Sequence, residues 1–155
     1  TFLNSDFLSD DEVLCLPYQQ EKTMLTGSCL CGSIQYQYDG EINEIALCHC
    51  GQCRKAQGSA FAANSPLLSA QFNIVKGHEL LKSHYSSSIK KRVFCANCGS
   101  PLYSQRDDKL DVLRLRLGTL DTPITATPSY HIYCDSKAAW WPIDDDLPQF
   151  STLKI

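Results

Sequence analysis

Seven of the chain's nine cysteines fall into three short motifs: Cys29-Leu-Cys31, Cys48-His-Cys50-Gly-Gln-Cys53, and Cys95-Ala-Asn-Cys98 followed by Gly99. No other feature constrains the fold as strongly. In an extended segment residues two apart point the same way, so both thiols of a C-x-C pair can face one ion. A C-x-x-C turn folds its second thiol back toward the first, and a glycine just after it supplies the backbone freedom that such a turn needs. Three motifs of this kind in 155 residues point to metal. Thiolate-rich tetrahedral sites select zinc, with iron or an iron–sulfur cluster as the competing occupant.

Two other uses of cysteine fit less well. A redox dithiol of the thioredoxin kind needs a βαβ context, and the chain has no long amphipathic segment to supply the crossover helix. A disulfide framework fits neither the odd count nor a reducing compartment. That compartment is expected because no basic stretch leads into an apolar run, and no apolar stretch approaches the roughly 18 residues of a membrane span. The expectation is therefore a cytoplasmic protein without membrane contact. A formal charge of −3 argues against a nucleic-acid partner, which would require a basic patch to neutralise phosphates.

A chain of this length suits one domain with a real core. Residues 1–24 read as an N-terminal arm, in which Ser9 and Glu12 have capping-box spacing and predict a short helix over Asp10–Leu16 ended by Pro17. Over 25–150 the period is mostly two. Ile34, Tyr36 and Tyr38 alternate with glutamines, and Leu113, Leu115 and Leu117 alternate with Arg114 and Arg116. Further strands are predicted at Phe72–Val75, Leu80–Tyr85, Arg92–Cys95 and Tyr130–Tyr133, with a short helical turn near Cys53–Ala56. The domain is mainly β, and residues 151–155 form a tail.

Ligand arithmetic gives the cysteines a division. A closed structural zinc uses four protein ligands, whereas a catalytic zinc uses three and keeps one position open. Seven clustered cysteines divide as four and three. Spacing does not dictate which motifs share an ion, but the most economical assembly joins the two-cysteine motifs and leaves Cys48, Cys50 and Cys53 as a trio. His49, Cys134 or Cys15 are the alternatives for a fourth ligand. In an extended C-x-C segment the ring of His49 points away from the ion. Cys134, in the strand expected over 130–134, reads as a small buried hydrophobe. Among other polar candidates, Arg114 and Arg116 read mainly as a solvated strand face that could alternatively receive carboxylates. His131 reads as a satisfied structural histidine, His78 and His84 lack companions, and Asp144 to Asp146 read as a solvated turn. At least one of Trp140 and Trp141 is expected to pack in the core.

The motifs occur in a recognisable order. After the C-x-C comes Cys48-His-Cys50-x-x-Cys53 with Arg54-Lys55-Ala56, then Phe94-Cys-x-x-Cys-Gly-Ser-Pro101. Gly118-Thr-Leu-Asp121 follows, then His131-Ile-x-x-x-Ser136-Lys137-Ala138-x-Trp140, and finally Leu147-Pro148-x-Phe150. Over residues 24–150 this resembles the glutathione-dependent formaldehyde-activating enzyme family, which includes centromere protein V. The resemblance implies an Mss4-like fold of small antiparallel sheets. It also implies a structural zinc on Cys29, Cys31, Cys95 and Cys98 and a catalytic zinc on Cys48, Cys50 and Cys53. The activity it implies is carbon–sulfur lyase chemistry on S-hydroxymethylglutathione or a related small thiol adduct. The alternative is a non-catalytic zinc module that binds another protein. Three thiolates on one Zn²⁺ already carry net −1, and a substrate thiolate makes that −2. Nearby cations must offset this charge, and Arg54 and Lys55 are the first candidates for substrate binding.

Overall fold

The computed structural model describes residues 24–154. The helix predicted over 10–16, the rest of the arm before Met24 and Cys15 lie outside the described residues. The chain runs β1 (Leu25–Ser28), β2 (Gln35–Tyr38), β3 (Ala46–Cys48), α1 (Gly51–Gln57), β4 (Ala62–Leu68), β5 (Phe72–Lys76) and β6 (Leu81–Tyr85). It continues with β7 (Lys90–Cys95), β8 (Pro101–Arg106), β9 (Lys109–Arg116) and β10 (Tyr130–Ile132). The fold is mainly β, as expected from the period of two. A three-stranded sheet has the order β1-β2-β5, and a seven-stranded sheet has the order β10-β3-β4-β9-β8-β7-β6. All pairs are antiparallel except β10 with β3, which run parallel with Ile132 opposite Cys48. No helix among the described residues is long and apolar enough to cross a membrane.

The core lies between the two sheets. Ile34, Tyr36 and Tyr38 reach it from the β2 side, and Leu67, Leu102, Leu113 and Leu115 from the larger sheet. Burial of each large side chain contributes about 1.5–3 kcal/mol relative to exposure. Cys29 and Cys95 belong to this cluster, which places one end of the core against the four-cysteine motifs. A smaller cluster of Ala46, Ala62, Tyr130 and Ile132 packs around Cys48 and Cys53.

Several expectations change. β9 does alternate, but both faces are covered: Leu113 and Leu115 enter the core, Arg114 is half-buried and Arg116 is only 4% exposed. β1, β3, β4 and β8 escape the period-two reading. β3 is three residues long and buried throughout, and β4 carries Pro66. Pro66 is tolerated because β3 pairs only with 62–64, leaving that edge of β4 without a ladder partner at 66. Cys134 is not in a strand. Tyr133 adopts left-handed φ 58°, which ends β10 and sends half-exposed Cys134 into a short 3-10 turn. Neither tryptophan is in the core: Trp140 is 70% and Trp141 39% exposed, because the segment after buried Ala138 lies outside both sheets. Residues 150–152 return beside β10, where Cys134 N–H donates to Phe150 O at 3.0 Å and Tyr133 N–H to Thr152 O at 2.9 Å.

Candidate metal centres and the cavity beside them

Two knuckles bring the first group of thiols together. After β1 the chain turns so that Gly32 N–H donates to Cys29 O at 2.9 Å and Ile34 N–H to Cys29 Sγ at 3.2 Å. After β7, Gly99 N–H donates to Cys95 O at 2.8 Å, and Gly99 has φ 74°, a conformation that L side chains rarely adopt. The sulfurs of Cys29, Cys31, Cys95 and Cys98 lie within 4.8 Å of one another, with Cys29–Cys31 at 3.5 Å and Cys31–Cys95 at 4.0 Å. Tetrahedral ligands at about 2.3 Å from zinc stand about 3.8 Å apart, so this donor set fits the ion. Hydrogen bonds from Ser33 and from Asn97 hold the exposed Cys31 thiol down at about 5, whereas burial pushes Cys95 up to about 11. Since Cys29 follows β1 and Cys95 ends β7, an ion here would clip one sheet to the other.

The second group is built from the β3–α1 junction. Cys48 ends β3, Cys50 is the N-cap of α1 and Cys53 lies in its first turn, where the Cys53 N–H donates to Cys50 Sγ at 3.3 Å. Their three sulfurs also lie within 4.8 Å of one another, again a fit to one tetrahedral ion with a position left over. No fourth His, Cys, Asp or Glu among the described residues joins this group. Hydrogen bonds from Cys48 and Cys50 hold the Cys53 thiol far below its ordinary range, with Arg116 and Arg92 adding to the effect. Contacts with Cys50 and Cys53, together with burial, push the Cys48 thiol upward.

The trio opens on a cavity of about 570 Å³ whose wall includes Lys90, Arg92, Arg106, Arg114 and Arg116. Arg54 and Lys55 are not in that wall. The Arg54 guanidinium donates to His49 O at 3.3 Å and to Ser136 O at 3.2 Å, bracing the chain around α1, and Lys55 is exposed on the helix. The Arg92 guanidinium reaches a thiol, with Nη1 3.8 Å and Nη2 3.9 Å from Cys53 Sγ, and Arg116 contacts the same sulfur. Burial lowers the Arg116 and Lys90 values, and in both cases Cys53 pulls the other way, as a cation beside a thiolate should. Leu153, from the segment expected as a tail, lines the same cavity.

Behind the trio, His49 is fully buried and turned away from the sulfurs. Its Nε2 lies 2.8 Å from His131 Nδ1, and His131 Nε2 lies 3.1 Å from both carboxylate oxygens of Asp145. The acidic run at 144–146 is thus not only a solvated turn. Burial, then the charges of His131, Lys137 and Arg54, holds His49 below the ordinary histidine range.

A two-sheet β domain with one four-thiol and one three-thiol cluster, the latter open to a cation-lined cavity, defines a class of small cysteine-rich protein with two candidate metal sites. Comparison with known proteins supplies the family. Residues 24–136 match the model of the family described as glutathione-dependent formaldehyde-activating enzyme, and the chain belongs to it. A Schizosaccharomyces pombe protein named an uncharacterized lyase is 38% identical over 77 residues, covering 50% of this chain and 54% of that protein. The match thus spans about half the length of this curated relative. A crystal structure of a Rhodobacter sphaeroides protein superposes with a TM-score of 0.54 at 22% identity, covering 64% of this chain and 91% of that one, a likeness of fold.

Proposed function

We propose that the protein is a zinc-dependent carbon–sulfur lyase acting on a glutathione–aldehyde adduct of the S-hydroxymethylglutathione type, with Cys29, Cys31, Cys95 and Cys98 holding a structural zinc. The observation that carries this reading is the opening of the Cys48–Cys50–Cys53 trio onto a cavity walled by cations. Bound at the trio, Zn²⁺ would supply an open position for the substrate sulfur and favour its thiolate form. Cleavage passes the adduct's hydroxyl proton to solvent water, turns the oxygen lone pair into the aldehyde π bond and leaves the C–S electron pair on sulfur. Arg92 and Arg116 stand where that negative charge collects. Addition of the thiolate to formaldehyde is the same path reversed.

The competing reading, a non-catalytic zinc module, would be favoured by a fourth protein ligand closing the second site. The engagement of His49 Nε2 with His131 supports an open site instead. The test is S-hydroxymethylglutathione formation and cleavage followed by NMR with zinc-loaded protein and with Cys50→Ser. A rate above the uncatalysed one, lost in the variant, is expected; equal rates in the two proteins would sink the catalytic reading.

A further inference from the structure

The cavity holds more positive charge than the trio needs. Arg92 is engaged with Cys53, Arg106 makes a bidentate pair with Asp108 at 2.8 and 2.6 Å, and buried Arg116 faces the same thiol as Arg92. Lys90 and Arg114 also line the cavity but form no ion pair among the described residues. Both are half-buried, in a protein whose net charge is −3. The Cys53 thiol offsets part of the Lys90 charge, whereas Arg114 has no carboxylate partner among the described residues; a partly desolvated cation is costly to maintain, and a cleft of one sign attracts the opposite one.

Ser104 gives the surplus a shape. It pairs across the sheet with Arg92 of β7 on one side and with Arg114 of β9 on the other. Residues directly opposite in neighbouring strands stand about 4.5–5.5 Å apart at Cβ, so the three make one row, with the small serine as a hollow between two long arginines. Ser104 is 1% exposed, and its Oγ has no hydrogen-bond partner among the described residues. Buried hydroxyls are normally paired. Lys90, Ser104 and Arg114 also line a smaller hollow of about 80 Å³, so they stand in the wall common to both spaces.

We infer that Lys90, Ser104 and Arg114 form an anion subsite for a carboxylate of the thiol substrate, making the cavity selective for acidic thiol adducts over small neutral ones. This rests on the lyase reading and assigns residues to hold its substrate beyond the sulfur. Two cations and a hydroxyl donor match a carboxylate, with the Arg fork giving direction and the serine its missing partner. The site then has two anion-facing groups side by side, Arg92 and Arg116 at the sulfur and, across Ser104, Arg114 with Lys90 for the carboxylate.

The probes are S-methylglutathione, whose blocked sulfur makes binding independent of turnover, and its diethyl ester, which lacks both carboxylate charges. Calorimetric titration of the zinc-loaded full chain should show at least tenfold tighter binding of the acid. Arg114→Gln and Lys90→Gln should each bring that ratio below threefold, and Ser104→Ala should reduce it about threefold. Lys82→Gln, an exposed lysine outside the cavity, should keep it. If one charge variant fails to fold, as read by circular dichroism, the other and Ser104→Ala decide. Equal binding of acid and ester, no binding of either at millimolar concentration, or an intact ratio in the folded variants overturns the subsite. Adduct turnover without carboxylate selectivity would overturn the subsite and leave the lyase standing; selective binding without turnover would do the reverse.

Discussion

His49 Nε2 and His131 Nδ1 lie 2.8 Å apart in an interior where His49 is fully buried and His131 is 2% exposed. One proton is shared between the two rings, and Asp145 faces the other nitrogen of His131 at 3.1 Å. The chain links the segment between two trio cysteines to β10 and the 144–147 turn, where Leu147 N–H also donates to Asp145 Oδ1 at 3.0 Å.

The consequence is a ranking of two substitutions. His131→Leu leaves the buried Nε2 of His49 without its partner and should cost about 1–3 kcal/mol. Asp145→Asn removes a partner that is half-exposed, and water can replace it, so its cost should be smaller. Urea unfolding of the metal-loaded protein at neutral pH checks the order; an equal or larger loss in Asp145→Asn would contradict the assigned roles.

The two cysteine groups should fail differently. Cys95 is buried in the core cluster and its group joins β1 to β7, so Cys95→Ser should lose cooperative folding along with one zinc. Cys50 is a partly exposed N-cap, and serine caps a helix well, so Cys50→Ser should retain fold and melt while losing the second zinc and the activity. Native mass spectrometry beside a thermal melt separates these outcomes. An unfolded Cys50→Ser or a natively stable Cys95→Ser would reverse the assignment.

The thiol groups were the legible part of the sequence, because C-x-C and C-x-x-C bring thiols together by local geometry alone. The four-plus-three grouping of thiols emerges from the fold as ligand counting anticipated. The cations beside them were not legible. Arg92 and Arg114 lie on different strands and become neighbours only through Ser104 and the registers of β7, β8 and β9. Arg54 and Lys55 adjoin Cys53 in the chain, yet on α1 the Arg54 guanidinium donates to backbone carbonyls and Lys55 is exposed outside the cavity wall. The same limit hid the His49–Asp145 relation, which depends on the parallel pairing of β10 with β3.

Arg92 supplies a directed charge that Arg54 does not. Arg92→Gln keeps polarity and much of the volume but removes the cation from Cys53, which should lower kcat/KM about tenfold to a hundredfold, the equivalent of one charge-assisted contact. Arg54→Gln, measured alongside, should have a smaller kinetic effect because its guanidinium serves backbone carbonyls. Steady-state rates on the glutathione adduct decide between them. A larger loss in Arg54→Gln would restore the helix cation as the electrostatic partner.

Alkaline stability should report Tyr36. Its ring is 1% exposed in the inter-sheet core, its hydroxyl lies 2.8 Å from Thr119 Oγ1, and burial pushes it up to about 12. Above the ordinary tyrosine value of about 10 the unfolded chain sheds this proton while the folded chain keeps it. The native state then binds more protons than the unfolded one, and stability falls as pH rises. By pH 12 the loss from Tyr36 should reach about 2 kcal/mol. Tyr130, beside Glu44, is also pushed up to about 12 and adds a component of the same sign. Tyr36→Phe should therefore flatten part of the decline between pH 10 and 12, at the cost of the Thr119 contact at neutral pH. Denaturant midpoints across that interval provide the measurement, and an unchanged slope in Tyr36→Phe would rule out the proposed linkage.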